Sequence, residues 1–173
     1  MSWTWRHLIN RTDVWGGYRP LAQRGTTYTK KDGTGGTFGP TLTHPPLYDR
    51  GRKRLSPGRI YTHYLATAPE DVVGLHTTSA ENTCRWGATE SDVHAEGGTS
   101  PEIILAANSA WYTRLHDLGI TALMTDSNGK GGVHLRAFFS EPAPSELVYA
   151  FFRWLVSDHA MYGMDREPEV FPK

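Results

Sequence analysis

Thiol chemistry is nearly absent from this chain: one cysteine, Cys84, among 173 residues. That excludes an intramolecular disulfide and any cysteine-rich zinc site. Long apolar runs are missing too, since no stretch approaches the ~20 residues that a membrane span needs. The opening Met1-Ser2-Trp3-Thr4-Trp5-Arg6 lacks the apolar core of a signal peptide. A cytoplasmic protein with no membrane partner is the expectation. Net charge is absent as well, with 18 Lys/Arg against 18 Asp/Glu.

That zero conceals an asymmetry. Residues 1–60 carry eleven Lys/Arg against Asp13, Asp32 and Asp49, a net of +8, and the remaining 113 carry seven against fifteen, a net of −8. A basic lobe beside an acidic one suits a polyanion held next to a metal-binding carboxylate site. Mutual attraction of the two lobes explains the same asymmetry.

Turn formers crowd Gly16 to Pro46, and hydrophobic periodicity there is weak, so residues 1–60 read as a loop-rich basic lobe. Aromatics (Trp3, Trp5, Trp15, Tyr18, Tyr28, Phe38, Tyr48) are interleaved with the bases. Single-strand nucleic-acid grooves have that mixture, with bases stacked on rings and phosphates met by Arg or Lys. A loop-rich lobe also needs it in order to pack. The densest basic run, Arg50-Gly51-Arg52-Lys53-Arg54, makes Arg50, Arg52, Lys53 and Arg54 the candidate nucleic-acid contacts, against the alternative of a solvated loop.

The pattern firms from Ser56. Ser56-Pro57 is expected to open a short helix through Arg59-Ile60-Tyr61 to Leu65, followed by a strand over 71–75 and a better strand over 83–92, where Cys84, Trp86 and Ala88 alternate with Arg85, Gly87 and Thr89. Ser100-Pro101-Glu102 is a helix start. Ile103, Ile104, Ala107, Trp111, Leu115 and Leu118 follow on one face, and Gly119 is the stop. Strands over 120–124 and 133–139 flank a glycine-rich turn, and a second helix follows with Leu147, Phe151, Trp154 and Leu155 on one face. The fold class expected is α+β: a split β-α-β (RRM-like) sheet with two helices on one face. Within a single domain, 1–173, the lobe over 1–60 precedes a core over 71–173. A sixth strand would begin near Val170. Either another segment such as 71–75 closes the sheet, or the chain is a truncated piece and its final strand is missing.

Two motifs stand about forty residues apart, Glu90-Ser91-Asp92 and Gly129-Lys130-Gly131-Gly132-Val133-His134. In a split β-α-β unit the first and third strands are antiparallel neighbours, which brings these strand ends together. Side chains two apart share a face, so Glu90 pairs with Asp92 and His134 with Arg136. Mg²⁺ and Mn²⁺ prefer carboxylate oxygens, and one or two side chains plus substrate phosphates complete their shell. Glu90 and Asp92 would hold the metal. His134, Lys130 and the amides around Gly131 and Gly132 would neutralise a triphosphate. Glu169, Glu167 or Asp165 would supply a third carboxylate, with Glu169 preferred. His94 is a further candidate ligand. Taken singly, each motif also has an ordinary structural explanation, as a strand edge, a hairpin turn or a core histidine.

At these residues the chain resembles the archaeo-eukaryotic primase superfamily, the catalytic domain of primase-polymerases. The pattern is nearest to primase-like domains of bacterial conflict operons and mobile elements. The segment Thr83-Cys84-Arg85-Trp86-Gly87-Ala88-Thr89-Glu90-Ser91-Asp92 is similar to the family's first motif, a strand ending in two acids. Ser127-Asn128-Gly129-Lys130-Gly131-Gly132-Val133-His134-Leu135 is similar to its second, and Val170-Phe171-Pro172-Lys173 to the approach to its third. Three departures stand out: Glu90 where Asp is usual; Thr89 and Ser91 where apolar residues flank the acids, together with Gly132 where Ser is common; and an end at the third motif, before the family's usual closing strand.

The resemblance implies template-directed, metal-dependent nucleotide joining with Mg²⁺ or Mn²⁺, by a DNA primase/polymerase acting on nucleoside triphosphates and a single-stranded DNA template. A helicase or nuclease domain or partner goes with it. Glu90, Asp92 and His134 would be its catalytic group, with Ser127 and Arg136 assigned to nucleotide binding. Two other readings remain, a non-catalytic RRM-like nucleic-acid-binding module and a different nucleotidyltransferase or nuclease using the same acids.

Overall fold

The structure is a computed structural model that describes residues 2–18, 23–30, 33–37, 39, 41–44, 54–93, 98–127 and 129–173. The fold is mixed α+β, with four α-helices and antiparallel sheets among the described residues. The chain divides into two compact units, Met1–His76 and Thr77–Lys173. No helix among the described residues is long and apolar enough to cross a membrane.

In the first unit, α1 (Ser2–His7) precedes β1 (Trp15–Tyr18), β2 (Thr27–Thr29), β3 (Gly35–Thr37) and β4 (Thr41–His44). These strands are three or four residues long, too short to print a period on the sequence. That is why a region holding a helix and four strands reads as loops. Ser56 caps α2 (Pro57–Tyr64), accepting a hydrogen bond from the Arg59 amide at 3.2 Å, with Pro57 at the first helical position. Strand β5 (Val73–Gly74) pairs with Gly16 and Gly17 of β1 and therefore does not close the second unit's sheet. A small core of Ile9, Trp15, Leu55, Ile60 and Val73 holds this unit together.

In the second unit, β6 (Thr83–Ser91), α3 (Pro101–Asp117), β7 (Ala122–Asp126), β8 (Val133–Pro144), α4 (Ser145–Leu155) and β9 (Glu169–Phe171) follow in order. The antiparallel sheet runs β7-β8-β6-β9. A three-residue strand thus stands beside β6 at the place where a sixth strand is expected to begin, near Val170.

Helix α3 has the ends its sequence calls for. The Ser100 hydroxyl accepts from the Ile103 amide at 3.4 Å, and Gly119 takes a φ of +75°. The Gly119 amide then donates to the His116 carbonyl and the Ile120 amide to the Leu115 carbonyl, a Schellman ending. Both helices cover one face of the sheet: Asn108 of α3 meets Thr89 and Ser91, and Val148 and Phe152 of α4 fill the space over Gly87.

That space corrects the expected face of α4. A Cβ on Gly87 would collide with Phe152 and come within 2.7 Å of Val148, so the hollow selects Val148, Phe152 and Leu155 as the inward stripe. Leu147 and Trp154 are left more than half exposed. Leu118 of α3 is likewise exposed, while Asn108 takes a buried place that the apolar pattern did not assign.

Candidate functional site

Strand register assembles the site. Glu90 lies opposite His134 on one side and Glu169 on the other, and His134 lies opposite Thr125. Directly opposed residues project to the same face. Glu169, Glu90, His134 and Thr125 therefore form one row across the sheet, on the face away from α3 and α4. The expectation that the end of β6 meets the start of β8 holds residue for residue.

Side chains tighten this row. The His134 Nε2 stands 3.1 Å from Glu90 Oε1 and 3.3 Å from Ser127 Oγ, and the Ser127 hydroxyl donates to Asp92 Oδ1 at 3.0 Å. Asp92 follows the last residue of β6, so Ser127 is what ties it to the group. Behind the imidazole, Arg136 Nη2 donates to His134 Nδ1 at 2.9 Å and Nη1 to Thr125 Oγ1 at 3.0 Å. A guanidinium can only donate. His134 Nδ1 is therefore the acceptor, and the proton of the neutral ring sits on Nε2, facing Glu90 and Ser127. Burial pulls Arg136 below the usual guanidinium range, and the Glu90 carboxylate opposes that shift.

The acids open onto a cleft of about 470 Å³ lined by Glu90, Ser91, Asp92, Thr99 and the 164–169 segment. Asp165, Glu167 and Glu169, the three candidates for a third carboxylate, all reach it. They differ in their ties. The Thr99 hydroxyl holds Asp165 below the usual carboxylate range. Glu167 pairs with Arg153 at 2.7 Å, and Glu169 with Lys173 at 3.0 Å.

Among the described residues, no group of three or more His, Cys, Asp and Glu side chains stands ready-made around a metal position. The donor chemistry nevertheless fits a hard divalent cation. Glu90 and Asp92 offer carboxylate oxygens on one cleft, and such ions are commonly held by one or two carboxylates plus waters and phosphates.

The turn between β7 and β8 is shaped from within. The Ser127 amide donates to the Gly132 carbonyl at 2.9 Å, and the Gly129 amide to the Asp126 carboxylate. Gly131 has a φ of +90°, and a Cβ there would lie 2.5 Å from the Pro101 Cβ at the start of α3. This glycine has a packing reason of its own. Lys130 is exposed on the turn, and Lys130, Gly131 and Gly132 do not line the carboxylate cleft. Of the predicted basic run, Arg50, Arg52 and Lys53 lie outside the described residues, as does His94. Arg54 is exposed, and its charge contributes to lowering the Asp13 pKa.

Sequence reasoning missed three participants. Thr125 is readable only from the β7–β8 register. Thr99 sits in the cleft wall, before the α3 cap. Asn108 is fully buried, its amide donating to Ser91 Oγ at 3.1 Å and to the Ile104 carbonyl at 2.9 Å. A signal for Asn108 was present, since an amide interrupts the apolar stripe of α3 while hydroxyls replace apolar residues beside Glu90. Each oddity accounts for the other.

Compared with known proteins, the chain matches no family model and no curated protein.

Proposed function

We propose that this chain is a primase-polymerase-type nucleotidyltransferase domain, joining nucleotides on a single-stranded DNA template with Mg²⁺ or Mn²⁺. The observation that carries the reading is the joined pair of motifs: Glu90 opposite His134 in register, with Ser127 linking Asp92 to the same imidazole. The strand order β7-β8-β6-β9, with α3 and α4 on one face, supports a split β-α-β unit as the scaffold. Motif order and spacing support the primase resemblance.

In this reading Glu90 and Asp92 bind the ions, and Glu169, next to Glu90 in register, is the preferred third carboxylate. The chemistry those ions supply is stabilisation of the attacking and leaving oxygens of phosphoryl transfer. His134 offers its Nε2 proton to a phosphate oxygen. Lys130 and the amides around Gly131 and Gly132 would meet the triphosphate from the turn outside the cleft, while Ser127, whose hydroxyl and amide protons go to Asp92 and the Gly132 carbonyl, positions the acid. Arg136 acts as a positioning residue: both of its terminal nitrogens are engaged, and it fixes which imidazole nitrogen carries the proton. A helicase or nuclease partner belongs to the same reading.

The non-catalytic alternative asks for aromatic rings displayed on the first and third strands. Trp86 and Phe138 are cross-strand partners there, but Trp86 is only 8% exposed and has no face to offer a base. Acids occupy the other end of the same strands, where a phosphate backbone would be repelled without metal.

The test incubates the chain with a single-stranded template, nucleoside triphosphates and Mn²⁺. Extension is expected to fall to background in Glu90→Ala and in Asp92→Ala. Arg136→Leu, which leaves His134 Nδ1 without its donor, is expected to lose roughly tenfold or more, in line with partners that orient a functional histidine. Product that survives both acid substitutions unchanged would sink the assignment.

A further inference from the structure

We infer that the exposed rings of α1 and α2 in the first unit form a stacking platform for single-stranded nucleic acid, separate from the carboxylate site. Trp3, Tyr61, Tyr64 and Leu65 are 51%, 53%, 59% and 59% exposed. The Thr4 hydroxyl and the Tyr64 phenol share a hydrogen bond of 2.6 Å, which seats α1 beside the C-terminal end of α2. Tyr61 precedes Tyr64 by three residues, so the two lie on the same side of α2. Trp3 and His7 are stacked at a tilt with centroids 5.1 Å apart, and His63 and Tyr64 at 5.6 Å.

Two properties suit these rings to nucleobases. Two of them are held: the Tyr64 phenol is hydrogen-bonded and Trp3 leans on His7, so these two have less rotamer freedom to lose on binding. Their helices also carry no acid of their own, although Asp71 of the adjoining turn stands 3.9 Å from Arg59. Helices α1 and α2 contain Arg6, Arg59 and two histidines and no Asp or Glu. Over Met1–His76 eleven Lys/Arg stand against five Asp/Glu, a net of +6. Arg6 is exposed on α1, within reach of a strand whose bases stack on the rings. Exposed aromatics in a basic field are what sequence-tolerant single-strand binding requires. A contact between this face and the same face of a second copy would set like charges against each other.

This inference does not depend on nucleotidyl transfer, and the variants below leave Glu90 and Asp92 untouched. The experiment measures fluorescence anisotropy of a labelled oligothymidylate with the full chain, across a salt series. Trp3→Ala and Tyr61→Ala are each expected to weaken binding by roughly tenfold, the scale of one lost base–ring stack, with unchanged salt dependence. Arg6→Gln is expected to flatten the slope of log affinity against log salt by about 0.7, one single-strand phosphate contact. Trp154→Ala, an exposed indole of the second unit, is the control and should bind as the parent does. Thermal melting accompanies each variant, and each single substitution is read by itself, so one that fails to fold leaves the other decisive. Parent-like affinity in the folded ring variants, or no oligothymidylate binding by the parent at low salt, overturns the proposal. So does intact oligonucleotide binding together with a ring-dependent shift in sedimentation, which would assign the face to contact between copies.

Discussion

The two units of this chain solve the same packing problem with different means. The first, Met1–His76, has among the described residues a core cluster of five buried apolar side chains around strands of two to four residues, and carries a net charge of +6. The second, Thr77–Lys173, buries fourteen around strands of up to twelve residues and carries a net of −6. Length is what separates them. A nine-residue strand beside a seventeen-residue helix fixes register over many rungs, so the second unit can hold acids, imidazole and guanidinium to hydrogen-bond precision. The first unit relies on local devices instead: a capped helix, an arginine over Trp15 at 5.4 Å, and a forked ion pair between Arg11 and Asp13.

Unfolding each core separately should show this difference most strongly. Phe152 is fully buried and fills the hollow over Gly87, and removing it opens a cavity that long, rigid elements cannot collapse. Phe152→Ala is expected to cost about 3–5 kcal/mol. Ile60, 2% exposed in the smaller core, borders short elements that can close in, so Ile60→Ala should sit near about 2 kcal/mol. Amide hydrogen exchange on both variants reads the two units apart. Equal losses would mean that element length does not set rigidity here.

A smaller effect would sharpen the comparison within the second unit. Asn108 ties α3 to the two hydroxyls that flank Glu90. Asn108→Leu strands those hydroxyls without their buried partner, at about 1–3 kcal/mol. Adding Thr89→Val and Ser91→Ala removes every polar member together and should recover most of that loss in denaturant titration, because an apolar set of similar shape is nearly neutral. If the triple substitution stays as destabilised as the single one, the hydroxyls are not what Asn108 answers.

How much of this was legible follows from the same contrast. Helix α3 could be read because its cap, first-turn proline, apolar spacing and terminal glycine agree, and each depends on neighbours within a few residues. The meeting of Glu90 with His134 was legible through topology, since strand order alone sets which ends adjoin. The inward face of α4 was not. Leu147, Phe151 and Trp154 make a good helical stripe, and only the missing side chain at Gly87, some sixty residues away, selects Val148 and Phe152 instead. Strand β9 was legible in place through topology, since a sixth strand beside the first is expected near Val170, but its three residues, Glu169–Phe171, carry no period of their own. In the first unit the strands are short throughout, and almost nothing beyond the Ser56 cap and the brief 73–74 strand had a local signature.

The smallest expected effect lies in the first unit and tests whether its local devices contribute to stability. Arg11 meets Asp13 through two parallel hydrogen bonds of 2.8 and 2.7 Å, with both side chains about three-quarters buried. The guanidinium lowers the Asp13 pKa from 3.8 to about 2, with burial opposing. A carboxyl whose pKa falls on folding stabilises the native state when ionised in both states. The contribution is therefore complete above the unfolded value near 3.8 and is lost as pH falls through about 2. Solvent screening of a partly exposed pair keeps it to about 1 kcal/mol. Arg11→Gln should then be less stable than the parent by that amount at neutral pH, and the gap should close between pH 3.8 and about 2. Urea titrations of both proteins across that window measure it. A gap that persists unchanged to pH 2 would show that Arg11 acts through packing of its stem rather than through Asp13, and the first unit would then resemble the second in depending on contact area more than on charge.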